Sequence, residues 1–386
     1  MPTSGPDLPR RRVIVVAHSL VAADGGMETV HVKLITEMLA EVEVVAVTCR
    51  LDPSLEGLVE LHRVRVPTTP APLRFAAFFA VATVMLARLR RSGDVIHACG
   101  AIVGNRISIS TIHTLSAAIV AARGGRLAAP GAPLIRRMNS GLLRWMALQA
   151  ERLVYRGSRL GVAAAVSAVT AAEVERSYPT VPVVVTPNGV DPLRFHPDRA
   201  ARAEVRAELG LDERAVVALF VGGDFERKGL GLAIEALVDV PSVHLVAAGP
   251  GDVEGARRRA LELDVADRVR ILGPRRDVER LDQAADVYVC ASDYEADSLA
   301  LLEAAASGLA LVSTRVGSAE EFIGTGPGAA GLLVDRTPSA LAAGLRQLAE
   351  DAELRRRCGA SALERSAARR WSAVAAQVLG LYGDLV

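Results

Sequence analysis

Two glutamates separated by seven residues, Glu295 and Glu303, lie in a stretch whose pattern suits chemistry rather than packing alone. Asp286–Gly308 predicts a buried strand, a polar loop and an alanine-rich helix that ends at a glycine. Glu303 falls on that helix, and burying an unpaired carboxylate costs several kcal/mol, roughly. We therefore expect a ligand or partner there; the alternative is an acid on the wet side of the helix. Ser298 or Asp297 can cap the helix and leave amides that suit a phosphate.

A basic pair, Arg227 and Lys228, lies in the glycine-rich segment Gly222–Gly229. A predicted strand, Val216–Val221, precedes this segment, and a predicted helix, Leu230–Leu237, follows it. A loop that brings cations and backbone amides to a helix N-terminus is typical of a phosphate site. The alternative is a turn that carries a solvated basic pair.

Similar features occur near the start of the chain. Val13–Ala17 is a continuous apolar run, as a strand buried on both faces requires, and Gly25-Gly26 follows it before a predicted helix. His97 lies at the end of the predicted strand Asp94–Ala98, and His113 lies at the end of Ile107–Ile112. These strands are expected to be neighbours that present both histidines to one cleft. Each histidine could instead be a satisfied packing residue, and the glycines a tight turn without a ligand.

Length and patterning indicate two α/β domains. The chain has 386 residues, which is too long for one ordinary core. Alternating strands and helices occur twice, and a proline-rich passage around Pro179, Pro182 and Pro187 separates the two series. The site should lie where the strand ends of the two domains meet. A net charge of +1 argues against a nucleic-acid partner bound by global charge.

Two segments suggest a membrane surface. Phe75–Ala87 is apolar for 13 residues, which predicts a core-facing or interfacial helix too short to cross a bilayer. Residues 115–160 are rich in arginine and carry a single acid, Glu151. Such a surface attracts anionic lipid or a phosphorylated acceptor, although a solvated arginine-rich face is the alternative. The apolar run after Arg10–Arg12 is too short for a signal sequence, so we expect a cytoplasmic protein, peripheral at the inner face of the membrane.

Taken together, these residues resemble the retaining nucleotide-sugar glycosyltransferases of family 4, which have the α/β GT-B fold of two Rossmann-like domains facing across a cleft. The matching passages follow the family's order along nearly the whole chain. They are Gly25-Gly26, the strand end at His113, Thr186–Asp191, Gly222–Gly229, Glu295–Glu303, and Gly317 with Glu321.

The resemblance implies an acceptor domain over 1–180, a donor domain over 181–372, and a last helix, about 373–386, that packs back on the first domain. It implies that Arg227 and Lys228 bind the donor diphosphate. Glu295 would bind sugar hydroxyls and Glu303 the ribose, and His113 would lie near the donor sugar and the acceptor as a base or as a ligand. The remaining donor-binding residues that it implies are Gly25, Gly26, Asn188, Gly222, Gly223, Gly249, Asp297, Ser298 and Leu299.

Two departures bear on the donor. Gly223-Asp224 stands where many members have an arginine after the first glycine, and Asp297-Ser298 stands where Phe-Gly is common. No Asp-x-Asp pair occurs in the chain, so basic side chains would replace a divalent metal.

The resulting hypothesis is a metal-independent retaining hexosyltransferase. It would move a sugar from an NDP-sugar, its co-substrate, to an acceptor hydroxyl and need no other cofactor. The acceptor could be lipid-linked, a saccharide or a small molecule. Two alternatives are a nucleotide-sugar epimerase and a non-catalytic sugar-nucleotide-binding module.

Overall fold

A computed structural model describes residues 10–127, 134–156 and 159–384 of the chain. These residues form two compact units. Unit 1 comprises the described residues up to Pro187 together with those from Trp371 onward, and unit 2 comprises Asn188–Arg370. The chain therefore leaves unit 1 at the end of the proline-rich passage and returns to it after Arg370. The sequence prediction also assigned Leu385 and Val386 to the last helix, and these two residues lie outside the described part.

Unit 1 is built on a parallel seven-stranded sheet in the order β3-β2-β1-β4-β5-β6-β7. Its strands are β1 (Arg11–Val16), β2 (Val42–Thr48), β3 (Glu60–Arg63), β4 (Val95–Cys99), β5 (Ile107–Ile112), β6 (Leu160–Ala165) and β7 (Val183–Val185). Its helices are α1 (Gly26–Met38), α2 (Ala71–Leu89), α3 (Ser116–Ala122), α4 (Leu134–Tyr155), α5 (Ala168–Ser177) and, from the end of the chain, α15 (Trp371–Asp384).

Unit 2 is built on a parallel six-stranded sheet in the order β10-β9-β8-β11-β12-β13. Its strands are β8 (Val216–Val221), β9 (Val243–Ala248), β10 (Val269–Gly273), β11 (Val287–Cys290), β12 (Ala310–Thr314) and β13 (Gly331–Val334). Its helices are α6 (Arg199–Glu208), α7 (Phe225–Lys228), α8 (Leu230–Ala236), α9 (Val253–Glu262), α10 (Val278–Ala284), α11 (Leu299–Ala306), α12 (Ala319–Ile323), α13 (Pro338–Glu350) and α14 (Ala352–Ala367).

The continuous apolar runs form strands because both faces of each sheet are covered. In β11, Val287 and Val289 pack into the core on one face, and Tyr288 and Cys290 pack into the core on the other. A parallel sheet covered on both faces needs apolar residues at every position, which explains why these strands show no alternation.

Helix α2 is longer than the apolar run that predicted it. It spans 19 residues, and by length and composition it is the one helix in the described residues that is apolar enough to cross a membrane. The expectation that this segment is too short for a bilayer is therefore wrong for the helix as it forms. Phe78, Ala82 and Leu86 are fully buried in the core of unit 1. However, only 22% of the apolar 18-residue stretch of α2 is buried.

The last helix, α15, packs against α1 within unit 1. The Tyr382 hydroxyl lies 2.7 Å from Nδ1 of His97, and Arg11 donates to the backbone carbonyl of Tyr382. Gln377 donates to the carbonyl of Val185 over 2.7 Å. Unit 1 is therefore assembled from two parts of the chain that unit 2 separates.

Candidate active site

The strand order of unit 2 creates a natural binding crevice between β8 and β11. Strand connections proceed in opposite directions from these two neighbours, so the loops at their carboxyl ends diverge. The loop after β8 contains Gly222, Arg227 and Lys228, and the loop after β11 contains Glu295. The basic pair and the first glutamate of the sequence analysis thus reach the same edge of the sheet.

Three of these side chains meet directly. Nζ of Lys228 lies 2.9 Å from Oε1 of Glu295, and Nη1 of Arg227 lies 3.5 Å from the same oxygen. Ser292 donates to that oxygen over 2.8 Å, and Arg227 also donates to the carbonyl of Tyr294 over 2.6 Å. Glu295 is 13% exposed and Lys228 18% exposed, so this ion pair is shielded more than a surface pair. Two cations therefore converge on one carboxylate at the crevice.

Short helix α7 and its glycines position the basic pair. The segment Gly222–Gly229 is not only a loop, because Asp224 caps α7 by accepting from the amide of Arg227. Gly229 ends α7 with φ +77°, and a Cβ there would lie 2.3 Å from the carbonyl oxygen of Ala291. A Cβ on Gly222 would lie 2.3 Å from Cδ of Lys228, so the lysine stem crosses this glycine. The glycines bring the lysine and the β11 loop close together.

Two further predicted glycines line the neighbouring turn. Gly249 follows β9, and its amide donates to the carbonyl of Gly273 over 2.8 Å. A Cβ on Gly249, where φ is +144°, would lie 1.8 Å from the carbonyl oxygen of Gly222. The same atom on Gly223 would only touch Pro250 at 3.5 Å. The closest backbone approach therefore depends on Gly249 and not on Gly223.

The side chain of Asp297 is enclosed by other residues of unit 2. Its carboxylate accepts from the amide of Asn188 over 2.7 Å and from the Ser318 hydroxyl, and Nη1 of Arg369 lies 3.3 Å away. The Asn188 side chain donates in turn to the backbone carbonyl of Asp297 over 2.8 Å. The side chain of Asp297 is fully buried, and burial raises its pKa against the opposing effect of Arg369. The expectation that Asp297 and the Asn188 side chain contact the donor does not fit these enclosed contacts.

Helix α11 begins beside Glu295. Ser298 rather than Asp297 caps it, since the Leu301 amide donates to the Ser298 hydroxyl over 3.4 Å. The first turn, with Leu299, therefore presents backbone amides and the positive end of the helix dipole. Glu303 is half-buried on this helix. Its neighbour Asp282 of α10, to which no sequence signal pointed, is fully buried. Burial raises the pKa of Asp282 well above the ordinary value, with the charge of Glu303 as the next cause.

The predicted residues of unit 1 also lie at the carboxyl edge of their sheet. Gly25 and Gly26 begin α1 after the β1 loop, and His113 directly follows β5. His97 lies inside β4 and not at its end, with Nε2 2.6 Å from the Thr111 hydroxyl and Nδ1 bonded to Tyr382. These two buried contacts fit the alternative that His97 is a packing histidine.

His31 of α1 connects the two predicted histidines. Its ring centroid lies 5.9 Å from that of His97 and 5.9 Å from that of His113. Burial lowers the pKa of His97 and of His113 to about 3, with a smaller effect from His31. His113 is therefore neutral at neutral pH and can act as a hydrogen-bonding ligand. No sequence signal pointed to His31, because it occupies an ordinary apolar position of an amphipathic helix.

Residues 10–127, 134–156 and 159–384 contain no group of three or more His, Cys, Asp or Glu side chains arranged to hold a metal ion. A surface cavity of about 430 Å³ in unit 2 is lined by residues such as Pro197, Arg202 and Arg355. It contains none of the predicted site residues, whereas Arg227, Lys228 and Glu295 lie at the β8–β11 crevice.

Two family models together match most of the chain. Residues 24–194 match the model of glycosyltransferase family 4, and residues 201–365 match the model of glycosyl transferases group 1. D-inositol 3-phosphate glycosyltransferase of Corynebacterium glutamicum (strain R) is 35% identical over 219 residues, which cover 53% of this chain and 51% of that protein. The enzyme of that name from Geodermatophilus obscurus is 38% identical over 207 residues, 47% of this chain and 45% of its own length. The chain thus spans about half the length of the curated relatives it matches.

Solved structures show the same fold over nearly all of the chain. WaaG, a glycosyltransferase involved in lipopolysaccharide biosynthesis, superposes with a TM-score of 0.78 at 20% identity, covering 95% of this chain and 98% of WaaG. Sucrose-phosphate synthase from Thermosynechococcus elongatus superposes with a TM-score of 0.79 at 22% identity, covering 97% of this chain and 99% of the synthase. Anabaena HepE in complex with UDP-glucose superposes with a TM-score of 0.71 at 17% identity, covering 97% of this chain and 99% of HepE. The fold is therefore GT-B, and the chain belongs to the family 4, group 1 glycosyltransferases.

Proposed function

We propose that this protein transfers a hexosyl group from a nucleotide-sugar to an acceptor hydroxyl, with retention of configuration and without a metal ion. One observation carries the proposal: Arg227 and Lys228 converge on Glu295 at the crevice between β8 and β11. The N-terminus of α11 lies next to this cluster in the chain, so cations and free amides are concentrated at one point. A diphosphate is the ligand that this combination suits best.

Each side chain then has a distinct role. Lys228 and Arg227 bind the diphosphate and offset the charge that develops on the departing phosphate, which takes the place of a metal ion. Glu295, held by Ser292 and Lys228, presents its carboxylate to sugar hydroxyls. Glu303, on helix α11, binds the ribose hydroxyls.

The acceptor is deprotonated by the departing phosphate in a front-face displacement. His113 supports this scheme as a neutral ligand, because a pKa of about 3 makes its imidazole a poor base at neutral pH. Glu295 as a covalent nucleophile is the less favoured route, since its carboxylate is held by a lysine and a serine in the structure.

We further propose that the protein works in the cytoplasm, in peripheral contact with the anionic inner face of a membrane. Helix α4 supports this proposal because Arg136, Arg137 and Arg152 are exposed on it. Its acid Glu151 is buried and accepts from the amides of Ser116 and Ala117 over 2.5 Å and 3.0 Å. The exposed charge of α4 is therefore positive.

The donor proposal is tested by calorimetric titration with UDP, GDP, ADP and TDP. UDP comes first, since a protein of the same fold binds UDP-glucose. Lys228→Ala and Glu303→Ala should each weaken binding of the preferred nucleotide by about tenfold or more, the loss expected for one charged hydrogen bond. Arg258→Ala, an exposed arginine of α9 in the same unit, is the matched control and should bind as the wild type does.

Unchanged nucleotide affinity in both site variants would refute the assignment. Turnover is measured with the matching nucleotide-sugar, with and without acceptor. Rapid formation of an epimerised nucleotide-sugar without acceptor would instead support the epimerase alternative. Tight nucleotide binding with no turnover on any acceptor would support the non-catalytic alternative.

A further inference from the structure

Unit 1 contains an apolar groove between α2 and α4. Its volume is about 310 Å³, at the lower end of the range for ligand sites. We call it the α2–α4 groove, and it is lined by Phe75, Ala76, Phe79, Trp145, Met146, Gln149, Ala150 and Leu153. Gln149 is the one polar side chain in that lining, so the groove suits a hydrocarbon rather than a saccharide.

The rim of this groove is exposed, and two arginines lie beside its residues in the sequence of α4. Trp145 is 49% exposed and Leu153 43% exposed, although both have large apolar side chains that normally find a partner. Arg152 is exposed next to Leu153, and Arg144, which is half-buried, precedes Trp145. Apolar lining with basic side chains around it fits an amphiphile with a hydrocarbon chain and an anionic head.

One end of the groove reaches the carboxyl edge of the unit 1 sheet. Phe75 lines the groove, and its ring centroid lies 6.0 Å from that of His18, the second residue after β1. Phe79 continues the groove, with its ring 6.3 Å from that of Phe75. His113 lies at the carboxyl end of β5 in the same parallel sheet. A chain held in the groove would therefore leave its head group at the edge that carries His113.

Arg74 supplies a cation at this end. It precedes Phe75 on α2, is exposed, and forms no ion pair with any residue that the structure describes. Its charge acts on both His18 and Cys49, which places it near the ends of β1 and β2. An anionic head group would find this arginine next to the end of the groove.

We propose that the α2–α4 groove binds the hydrocarbon chain of a phosphate-bearing lipid, and that this lipid is the acceptor. Arg74 would hold the phosphate and direct the head group toward His113. The assignment of this lipid as acceptor rests on the proposed glycosyl transfer, whereas its binding to the groove does not. A second polypeptide fits less well, because the apolar lining and Arg74 at the end of the groove together match a lipid tail and its anionic head.

Tryptophan fluorescence gives a direct test of binding. The chain has two tryptophans, and Trp371 is 5% exposed in α15. In a Trp371→Phe background, Trp145 alone reports on the groove. Monomeric dodecyl phosphate should shift its emission to the blue in a saturable manner without any nucleotide. Inorganic phosphate should leave it unchanged, and dodecyl maltoside should bind more weakly because its head carries no charge.

Two matched variants locate the response. Leu153→Glu puts a charge into the groove lining and should weaken dodecyl phosphate binding about tenfold or more, whereas Leu142→Glu, on the same helix, should not. Leu142 is 50% exposed and does not line the groove. Arg74→Gln should remove the preference for dodecyl phosphate over dodecyl maltoside. Circular dichroism and UDP affinity serve as controls for folding and for unit 2.

Equal weakening by Leu153→Glu and Leu142→Glu, or no saturable shift of Trp145, overturns the groove proposal and leaves the donor site untouched. Saturable binding without transfer to any dodecyl-linked phosphate acceptor that carries a free hydroxyl retains the groove and overturns its assignment to the acceptor. Loss of UDP binding in Lys228→Ala is a separate result, so failure of the groove and failure of the transferase proposal are distinguishable.

Discussion

At the scale of single residues, the meeting of side chains at the crevice of unit 2 could be predicted wherever the order of the strands alone brings them together. Lys228 and Glu295 lie far apart in sequence, yet each follows a strand, and the two strands are neighbours in a parallel sheet. Asp297 was not predictable, since its direction is set by Ser318 and Arg369, which lie 21 and 72 residues away. An aspartate in a loop has the same local sequence pattern whether its carboxylate binds a ligand or pairs with a buried arginine.

The buried carboxylate of Asp297 should matter for stability. Replacing it by alanine leaves Arg369 and the Asn188 amide without their partner, so Asp297→Ala should lower the free energy of unfolding of unit 2 by about 3 kcal/mol. Asp293→Ala, an exposed acid of the same loop, is the control and should stay within about 0.5 kcal/mol of the wild type. Urea unfolding of both variants measures this difference, and equal urea midpoints for the two variants would contradict the prediction.

The buried histidines predict a pH dependence of stability. Burial lowers the pKa of His97 and His113 from 6.5 to about 3, and that of His18 to about 4, while the unfolded chain protonates them at the ordinary value. Below pH 6.5 the unfolded state therefore binds more protons, and the free energy of unfolding should fall steadily toward pH 4. The contribution of the neutral histidines to the free energy of unfolding is therefore fully present above pH 6.5.

Urea midpoints between pH 7.5 and about 4 measure this slope. His113→Asn should reduce the slope, because one low-pKa imidazole is removed. His196→Gln, an exposed histidine, should leave it unchanged. A slope that is the same in all three proteins would show that the histidines do not control it.

At the scale of elements, the strands were predicted closely and the helices less so. Continuous apolar runs bounded by glycine and proline mark buried strands clearly. Helix α4 was recognised only as an arginine-rich stretch, because residues 135–140 near its start are all exposed and mark no apolar face. Helix α7 has four residues and was hidden by the flanking glycines.

Gly229 offers a test of how the α7 turn builds the site. Gly229→Ala adds a Cβ at φ +77° that would lie 2.3 Å from a backbone oxygen, so the turn must shift and separate Lys228 from Glu295. We expect a loss of nucleotide affinity of at least about tenfold, with lower stability. Gly231→Ala, two residues on, meets nothing within 4 Å and should be neutral or stabilising. Titration and thermal unfolding check both, and retained affinity in Gly229→Ala would contradict this account.

At the scale of the whole molecule, two α/β units with parallel sheets followed from the sequence because strand and helix signals repeat on both sides of the proline-rich passage, and the GT-B fold followed from the family resemblance. The structure adds that α15 completes unit 1. The Tyr382 hydroxyl lies against His97, which in turn lies against the Thr111 hydroxyl of β5. A terminal helix far from its partners in sequence gives no local signal of where it packs, so only the family resemblance predicted this.

Removal of residues 371–386 should therefore affect the two units unequally. Unit 1 loses the contacts of Tyr382 and Gln377, whereas unit 2 keeps its own sheet and helices. Hydrogen exchange should show lost protection in β1 and β4 and retained protection in β8 and β11. Tyr382→Phe, which removes one hydroxyl, should cost only about 1 kcal/mol. Uniform loss of protection in both units would argue that they do not unfold separately.

The position of α15 has a consequence for the order of events on the ribosome. Unit 2 is one uninterrupted piece of chain, and its two ends are joined where the Val190 amide donates to the carbonyl of Arg369 over 2.7 Å. It can close as soon as Arg370 has emerged. Unit 1 begins first in synthesis but must wait for the final helix, so the half that is translated first is the last to be finished. During that interval, the face of α1 that later packs against α15 is exposed to solvent.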